Sequence, residues 1–193
     1  MSQLPNIGLF AKMRSGKDEV YKIIRELGYD VERVAFGDVM KEYFFDTFPN
    51  IPKEPKPTKL LQLYGEAMRE IDPYVWVDKT MNRVRVKMDI YKNFGVEPRA
   101  LVFTDIRNSY EYDAVKQLGA VMVKIEAPEE LRIQRMLALG EEVSLEVLNA
   151  PTELVIDSFH ADYVLYNNGT RDDLKRQVIE LIQTIQQEKG LDS

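Results

Sequence analysis

The stretch Ile7-Gly8-Leu9-Phe10-Ala11-Lys12-Met13-Arg14-Ser15-Gly16-Lys17-Asp18 runs from an apolar segment into a small-residue turn. Val20, Ile23, Ile24 and Leu27 then recur at the spacing of one helix face. Strand, tight loop and helix, with Gly-Lys where the helix begins, is the setting of a phosphate-binding loop. The chemistry this allows is capture of an anion. Glycine lets the backbone fold back so that successive N–H groups point into one hollow. The first helical turn adds unpaired N–H donors and the positive end of its dipole. Lys17 then supplies a point charge for β- and γ-phosphates. The pattern G-x-x-x-x-G-K-S/T is met in part. Ala11 stands at the first glycine, which a negative φ tolerates. Asp18 stands where a hydroxyl would meet magnesium, and a carboxylate there needs the metal, directly or through water, between itself and the phosphate. The competing reading is an ordinary helix start in which Asp18 favours the dipole.

Three further groups of residues could act on a phosphorylated ligand. Ala100 to Asp105 is an apolar run that ends in an acid, a Walker-B-like segment, and Arg107 follows. In open α/β sheets ligands sit at the carboxyl ends of strands, which suits Asp105 to a water-mediated magnesium ligand or an orienter of the attacking oxygen. A structural Asp–Arg ion pair is the alternative for Asp105 and Arg107. Gln62, Gly65 and Arg69 fall at i, i+3, i+7 of one helix, where a long side chain, a gap and a guanidinium could hold a planar acceptor and its phosphate. Arg132 and Arg135 share a helix face at i, i+3, and planar forks suit spread negative charge. Each stripe could equally be a solvated helix face.

Arg14-Ser15-Gly16-Lys17-Asp18 resembles the phosphate loop of phage-type deoxynucleoside monophosphate kinases and of P-loop phosphomevalonate kinases, which also carry Asp after the lysine. Ala11 and Glu19 depart from those loops, which usually open with Gly and, in the deoxynucleotide kinases, follow the Asp with Thr. Leu60-Leu61-Gln62-Leu63-Tyr64-Gly65-Glu66-x-x-Arg69-x-x-Asp72-Pro73-x-x-Trp76 resembles the substrate side of the same kinases. So do Thr104-Asp105-Ile106-Arg107-Asn108, Thr152-Glu153, and Asp162-Tyr163-Val164-x-x-Asn167-x-Gly169 before an amphipathic helix. The resemblance implies a three-layer P-loop sandwich around a five-stranded parallel sheet, with a short lid and phosphoryl transfer from ATP with Mg2+. The donor would lie against Ala11, Lys12, Met13, Arg14, Ser15, Gly16, Lys17, Asp18 and Glu19. Asp18 and Asp105 would order the metal. Lys41, Gln62, Arg69, Trp76 and Arg107 would face the acceptor, and Lys17, Asp105, Arg107, Arg132 and Arg135 would serve the transfer. For Lys41 and Trp76 the bland readings are a solvated lysine and a buried structural tryptophan.

The elements that must position these residues are legible as strands alternating with helices, the pattern of a parallel α/β sandwich. Strands are expected over Pro5–Phe10, Val31–Phe36, Ala100–Asp105, Ala120–Glu126 and Asp162–Tyr166. Helices are expected over Gly16–Gly28, from Gly37-Asp38 with Val39, Tyr43, Phe44 and Phe48 inward, and over Thr58–Glu70. A further helix is expected from Asp72-Pro73, with Val77, Met81, Val84, Met88 and Tyr91 as core. Pro128–Leu139 should turn Leu131, Met136 and Leu139 inward, and the last helix Leu174, Val178, Leu181, Ile182 and Ile185. Pro49 to Pro57 holds four prolines and reads as an extended flap. Residues from Gly140 through Glu141-Glu142 to Asp157 lack a period and read as a lid with a turn of helix. His160 reads as structural. The expected organisation is one domain over 1–193, with an acceptor-binding insertion over about 37–94 and a lid over about 136–158.

Composition bounds the rest. With 193 residues, 45% hydrophobic and 30% charged, the chain is long enough for a real core and is not of disordered type. It has no cysteine and one histidine, which excludes disulfides, thiolate sites and histidine clusters and fits a cytoplasmic setting. A net charge of −6 argues against sequence-independent nucleic-acid binding. No apolar run approaches the ~20 residues of a membrane span, and no secretory signal is read. The expected partner is a small-molecule phosphate acceptor, with monomer and homodimer both open. Other readings are a nucleotide-binding module without turnover, motivated by Ala11 and Glu19, and a GTP switch, discounted because no Asn-Lys-x-Asp-like motif occurs.

Overall fold

The computed structural model describes residues 4–141 and 143–190, so Glu142 lies outside the described residues. In chain order it contains β1 (Ile7–Phe10), α1 (Lys17–Glu26), β2 (Val31–Val34), α2 (Phe36–Thr47), α3 (Thr58–Ile71) and α4 (Val75–Asn93). There follow β3 (Ala100–Ile106), α5 (Ser109–Gln117), β4 (Val121–Glu126), α6 (Glu129–Ala138), α7 (Leu145–Leu148) and α8 (Pro151–Leu154). A 3-10 turn (Val155–Ser158), β5 (Tyr163–Tyr166) and α9 (Arg171–Lys189) complete it.

The strands form one parallel sheet in the order β2-β3-β1-β4-β5. This is a parallel α/β sandwich, as the alternation of elements predicts. Position in the sheet explains strand composition. Central β1 is buried at every residue, whereas the edge strands β2 and β5 mix buried with exposed positions. On one face Ile7, Leu9 and Ala11 pack with Val20, Ile23 and Ile24 of α1 and with Leu174, Val178, Leu181, Ile182 and Ile185 of α9. On the other, Phe10 meets Tyr112 of α5 and Phe159 edge-on. Thr170 starts α9 with a reciprocal capping box to Asp173, satisfying two of the helix's orphan donors.

The chain divides into two units, Met1–Val34 with Arg99–Ser193, and Ala35–Pro98. The first holds the sheet. The second is the helical trio α2, α3 and α4, built around rings: Phe44 contacts Phe48 and Tyr64, and Tyr64 contacts Trp76.

Several expected boundaries and faces are corrected. Phe36 opens α2 instead of closing β2. Asp72-Pro73 does not start α4: the Asp72 carboxylate accepts from Tyr74 N–H at 2.9 Å, and the helix begins at Val75. On α4 the buried residues are Val75, Trp76, Val77 and Thr80, while Met81, Val84, Met88 and Tyr91 are half-buried. Leu139 is exposed, and the buried positions of α6 go to Met136 and to a charged residue, Arg132. The segment expected to hold one helical turn contains α7, α8 and the 3-10 turn.

Candidate functional site

Between β1 and α1 the backbone reverses through a tight loop. Ser15 N–H donates to Lys12 O at 3.2 Å, and Glu19 and Val20 N–H donate to Gly16 O at 3.1 and 3.2 Å. Gly16 has φ +107°, a left-handed conformation that only glycine adopts without strain. A Cβ there would also lie 2.2 Å from Asn167 Nδ2. Gly16 is thus required twice over, by backbone angle and by a neighbour's side chain.

Lys17 curls back over this loop and donates from Nζ to Ala11 O at 2.9 Å. Burial, reinforced by the positive charge of Arg107, pulls its pKa down to about 8, against the opposing pull of Glu153, Asp105 and Asp18. The ammonium therefore sits in electrostatic reach of those acids and of Arg107. Asp18 lies exposed in the first turn of α1. Glu19 points elsewhere: it pairs with Arg171 Nε at 2.6 Å and with Lys22 at 3.7 Å.

Three consecutive loop residues are each held by a carboxylate from the segment after α6. Lys12 Nζ pairs with Asp157 at 2.6 Å. Met13 N–H donates to Glu153 Oε2 at 2.7 Å. Arg14 Nε donates to Glu141 Oε2 at 2.7 Å. Glu153 is 4% exposed and Arg132 3%, and their ion pair spans 3.6 Å. Arg132 also reaches Met13 O and Glu129, both at 3.4 Å. Arg135 donates to Arg14 O at 3.0 Å and to Asn167 O and Oδ1 at 3.2 Å each. The two arginines singled out on α6 thus lie against the loop, bonded to its carbonyls.

Asp105 ends the buried run of β3. Register along β1 jumps there, with Gly8 opposite Phe103 but Phe10 opposite Ile106, so β3 carries one extra residue around Thr104-Asp105. Such a bulge re-aims side chains at a sheet's end. The Thr104 hydroxyl is buried with no protein partner among the described residues. Arg107 is exposed, and its N–H donates to Glu111 Oε2 at 2.7 Å. Among the described residues no group of three His, Cys, Asp or Glu side chains could enclose a metal ion. The donor set nonetheless fits Mg2+, which takes one or two carboxylates, here Asp18 and Asp105, with water and phosphate oxygens as its remaining ligands.

An open cleft of about 400 Å3 adjoins the loop on its β4–β5 side, lined by Lys12, Ser15, Lys124, Ala127, Pro128, Arg132, Tyr166 and Asn168 among others. Asp157 bridges Lys12 and Lys124 within its lining. Burial pushes the Asp157 carboxyl up, but the two ammonium groups outweigh it and hold it below the usual carboxylate range.

In the helical unit, Lys41 Nζ bonds Asp38 at 2.7 Å. Arg69 Nη1 and Trp76 Nε1 converge on a single acceptor, Gly65 O, at 2.9 and 3.2 Å. Trp76 is buried among rings, and Gln62 is exposed. Arg69 thus folds back on Gly65 one turn earlier, while Gln62 does not share Gly65's burial.

Sequence reasoning gives no site role to Asp157, Glu141 or Arg171, and reaches Glu153 and Asn167 only through the resemblance, without a role for either. Asn167 lay in what reads as a turn, Asn167-Asn168-Gly169. The exposed side chain of His160 stands apart, its main-chain oxygen accepting from Tyr112.

No protein-family profile matches the chain. Among curated proteins it is 26% identical over 195 residues to a UPF0200 protein of Sulfurisphaera tokodaii, across 96% of this chain and 99% of that one. Among solved structures it superposes on TT1252 from Thermus thermophilus with a TM-score of 0.60 at 22% identity, over 94% of this chain and 98% of that one. It superposes on dephospho-CoA kinase from Campylobacter jejuni with a TM-score of 0.52 at 17% identity, over 93% and 96%. The likeness shows the fold, a five-stranded parallel sheet with flanking helices, which these structures share.

Proposed function

We propose that this protein transfers the γ-phosphoryl group of ATP to a small phosphorylated acceptor, a (deoxy)nucleoside monophosphate, giving the diphosphate. The observation that carries the reading is the loop itself. A left-handed Gly16 at the start of α1 and the Lys17 ammonium folded over the loop make a preformed anion hollow. The P–O bond to the departing ADP breaks as a bond to an acceptor phosphate oxygen forms. That oxygen is already ionised at neutral pH, so positioning and charge neutralisation suffice without a general base.

The loop backbone from Met13 to Lys17 would cradle the donor phosphates, with Lys17 on the β- and γ-oxygens. Mg2+ would supply charge neutralisation and a template, held by Asp18 and Asp105. Arg107 would neutralise the transferring group. Arg132 and Arg135 would join it by exchanging Glu153 and the loop carbonyls for phosphate oxygens. The cleft beside Tyr166 and Asn168 offers room for the donor's base. On the acceptor side, Lys41 and Arg69 are cations that each have a single-turn partner to give up, with Gln62 on the same helix as Arg69 and Trp76 of α4 sharing the Gly65 O acceptor with Arg69.

The test is ADP formation from Mg-ATP across ribo- and deoxynucleoside monophosphates plus phosphomevalonate, with Lys17→Ala as control. Turnover on one acceptor, reduced by about 10²–10³-fold in the variant, is expected. Turnover on phosphomevalonate alone would move the acceptor outside the nucleotides. ATP binding with no turnover on any acceptor would overturn the kinase and leave a nucleotide-binding module.

A further inference from the structure

Asn167 directly follows β5 and is 8% exposed. Its main chain is fixed, the N–H donating to Glu126 O at 2.7 Å. Its carboxamide then works in two directions. Nδ2 donates to Ser15 O at 2.8 Å, and Oδ1 accepts from Arg135 Nη2 at 3.2 Å. Arg135 in turn donates from Nη1 to Arg14 O at 3.0 Å. Two successive loop carbonyls, those of Arg14 and Ser15, are thus drawn onto one bonded pair of side chains.

We infer that Asn167 is the positioning residue of the phosphate loop, setting the peptide orientation through which the loop receives a polyphosphate. The inference rests on the kinase reading above for the identity of that ligand. In a planar trans peptide the C=O and the following N–H point in opposite directions. Holding Ser15 O against Asn167 therefore turns the Gly16 N–H to the other side, where an anion is received. The same Nδ2 fills the space a Cβ on residue 16 would need, so one side chain fixes both the direction of the peptide and the demand for glycine. Only a carboxamide fits both neighbours. An aspartate of the same shape keeps the bond to Arg135 but sets a carboxylate oxygen against Ser15 O.

Gln177 provides an internal control. It is a carboxamide on α9 that bonds the last residue of β5, Tyr166 N and O at 2.8 and 2.9 Å, but it touches no loop residue in those bonds. The experiment measures Mg-ATP affinity by titration calorimetry, and thermal stability, for the whole chain and for Asn167→Asp, Asn167→Ala and Gln177→Ala. Both Asn167 variants should weaken ATP binding by about tenfold or more, Asn167→Asp the more strongly, and raise the KM for ATP. Gln177→Ala should leave affinity within about twofold while losing comparable stability. Asn167→Ala gives the reading should Asn167→Asp fail to fold. ATP binding unchanged in the Asn167 variants, or lost equally in Gln177→Ala, overturns the inference while the kinase reading stands. Absence of ATP binding by the wild-type chain overturns both.

Discussion

The loop-bearing unit and the helical unit restrain their charged groups in opposite ways. Around the loop the restraints come from far along the chain: Met13 to Glu153 is 140 positions, Arg14 to Glu141 is 127, and Asn167 to Ser15 is 152. In the helical unit Lys41 is held by Asp38 three positions away and Arg69 by the Gly65 carbonyl four positions away. The energetics differ accordingly. Arg132 and Glu153 are almost fully buried and depend on each other, whereas the Lys41–Asp38 pair has side chains 38% and 41% exposed, a setting where ion pairs contribute little. In the proposed function, the hollow that would receive a polyphosphate is the one braced by the fold, and the cations that would exchange one partner for another are those held by a single turn of helix.

The largest expected effect sits on the buried pair. Glu153→Ala leaves the Arg132 guanidinium buried with the exposed Glu129 as its remaining acidic partner among the described residues, beside Met13 O, and strips the acceptor from Met13 N–H. Denaturant unfolding should show a loss of about 3–5 kcal/mol, and the double variant Arg132→Met/Glu153→Leu should recover much of it. Asp38→Ala in the helical unit should cost no more than about 1 kcal/mol by the same measurement. Equal losses in the two units would erase the contrast.

The second effect is on pH. Lys17 titrates in the folded protein near 8, below its ordinary 10.5. Between those values the unfolded chain binds more protons, so the Lys17 contribution to stability rises with pH across that window. Anion binding runs the other way, because it needs the ammonium. ATP affinity should fall by up to about tenfold per pH unit above pH 8, and binding near pH 8 should take up protons, read by calorimetry in buffers of different ionisation enthalpy. Lys17→Arg should bind with no such slope. A flat profile in the wild-type chain would place the Lys17 ammonium outside the anion hollow.

What was legible in the sequence follows the same division. Periodicity located the elements of the sheet, and the spacing of Gly16 and Lys17 located the loop, because both signals are local. The i, i+3, i+7 stripe through Gly65 and Arg69 was readable for the same reason. The contacts of Asp157 and Glu141 were not, and Asn167 stood out only within a family-like segment, since nothing near these residues in sequence shows that they bond a loop more than a hundred positions earlier. Arg132 shows the limit most sharply. Its helix spacing placed it beside Arg135 but could not show that it is buried, because a buried arginine is decided by its partner and not by its period.

The smallest effect tests the helical unit at Gly65. Glycine inside a helix costs about 0.5–1 kcal/mol relative to alanine, so Gly65→Ala begins with a gain of that size. A Cβ there would lie 3.3 Å from Arg69 Nη1 and 3.7 Å from Met40 Cγ. The near atom is the end of a flexible side chain with one local bond, so the guanidinium can shift a few tenths of an ångström while Trp76 keeps its bond to Gly65 O. Urea unfolding should therefore show stability unchanged or raised by up to about 1 kcal/mol, while the KM for the acceptor changes and ATP affinity does not. At Gly16 no such accommodation exists, because φ is +107° and the neighbour is the buried Asn167. A loss of more than about 1 kcal/mol at Gly65 would mean that Arg69 is as firmly placed as the loop. Its bond to Gly65 O would then be part of a built site, and the acceptor side would be as preorganised as the donor side.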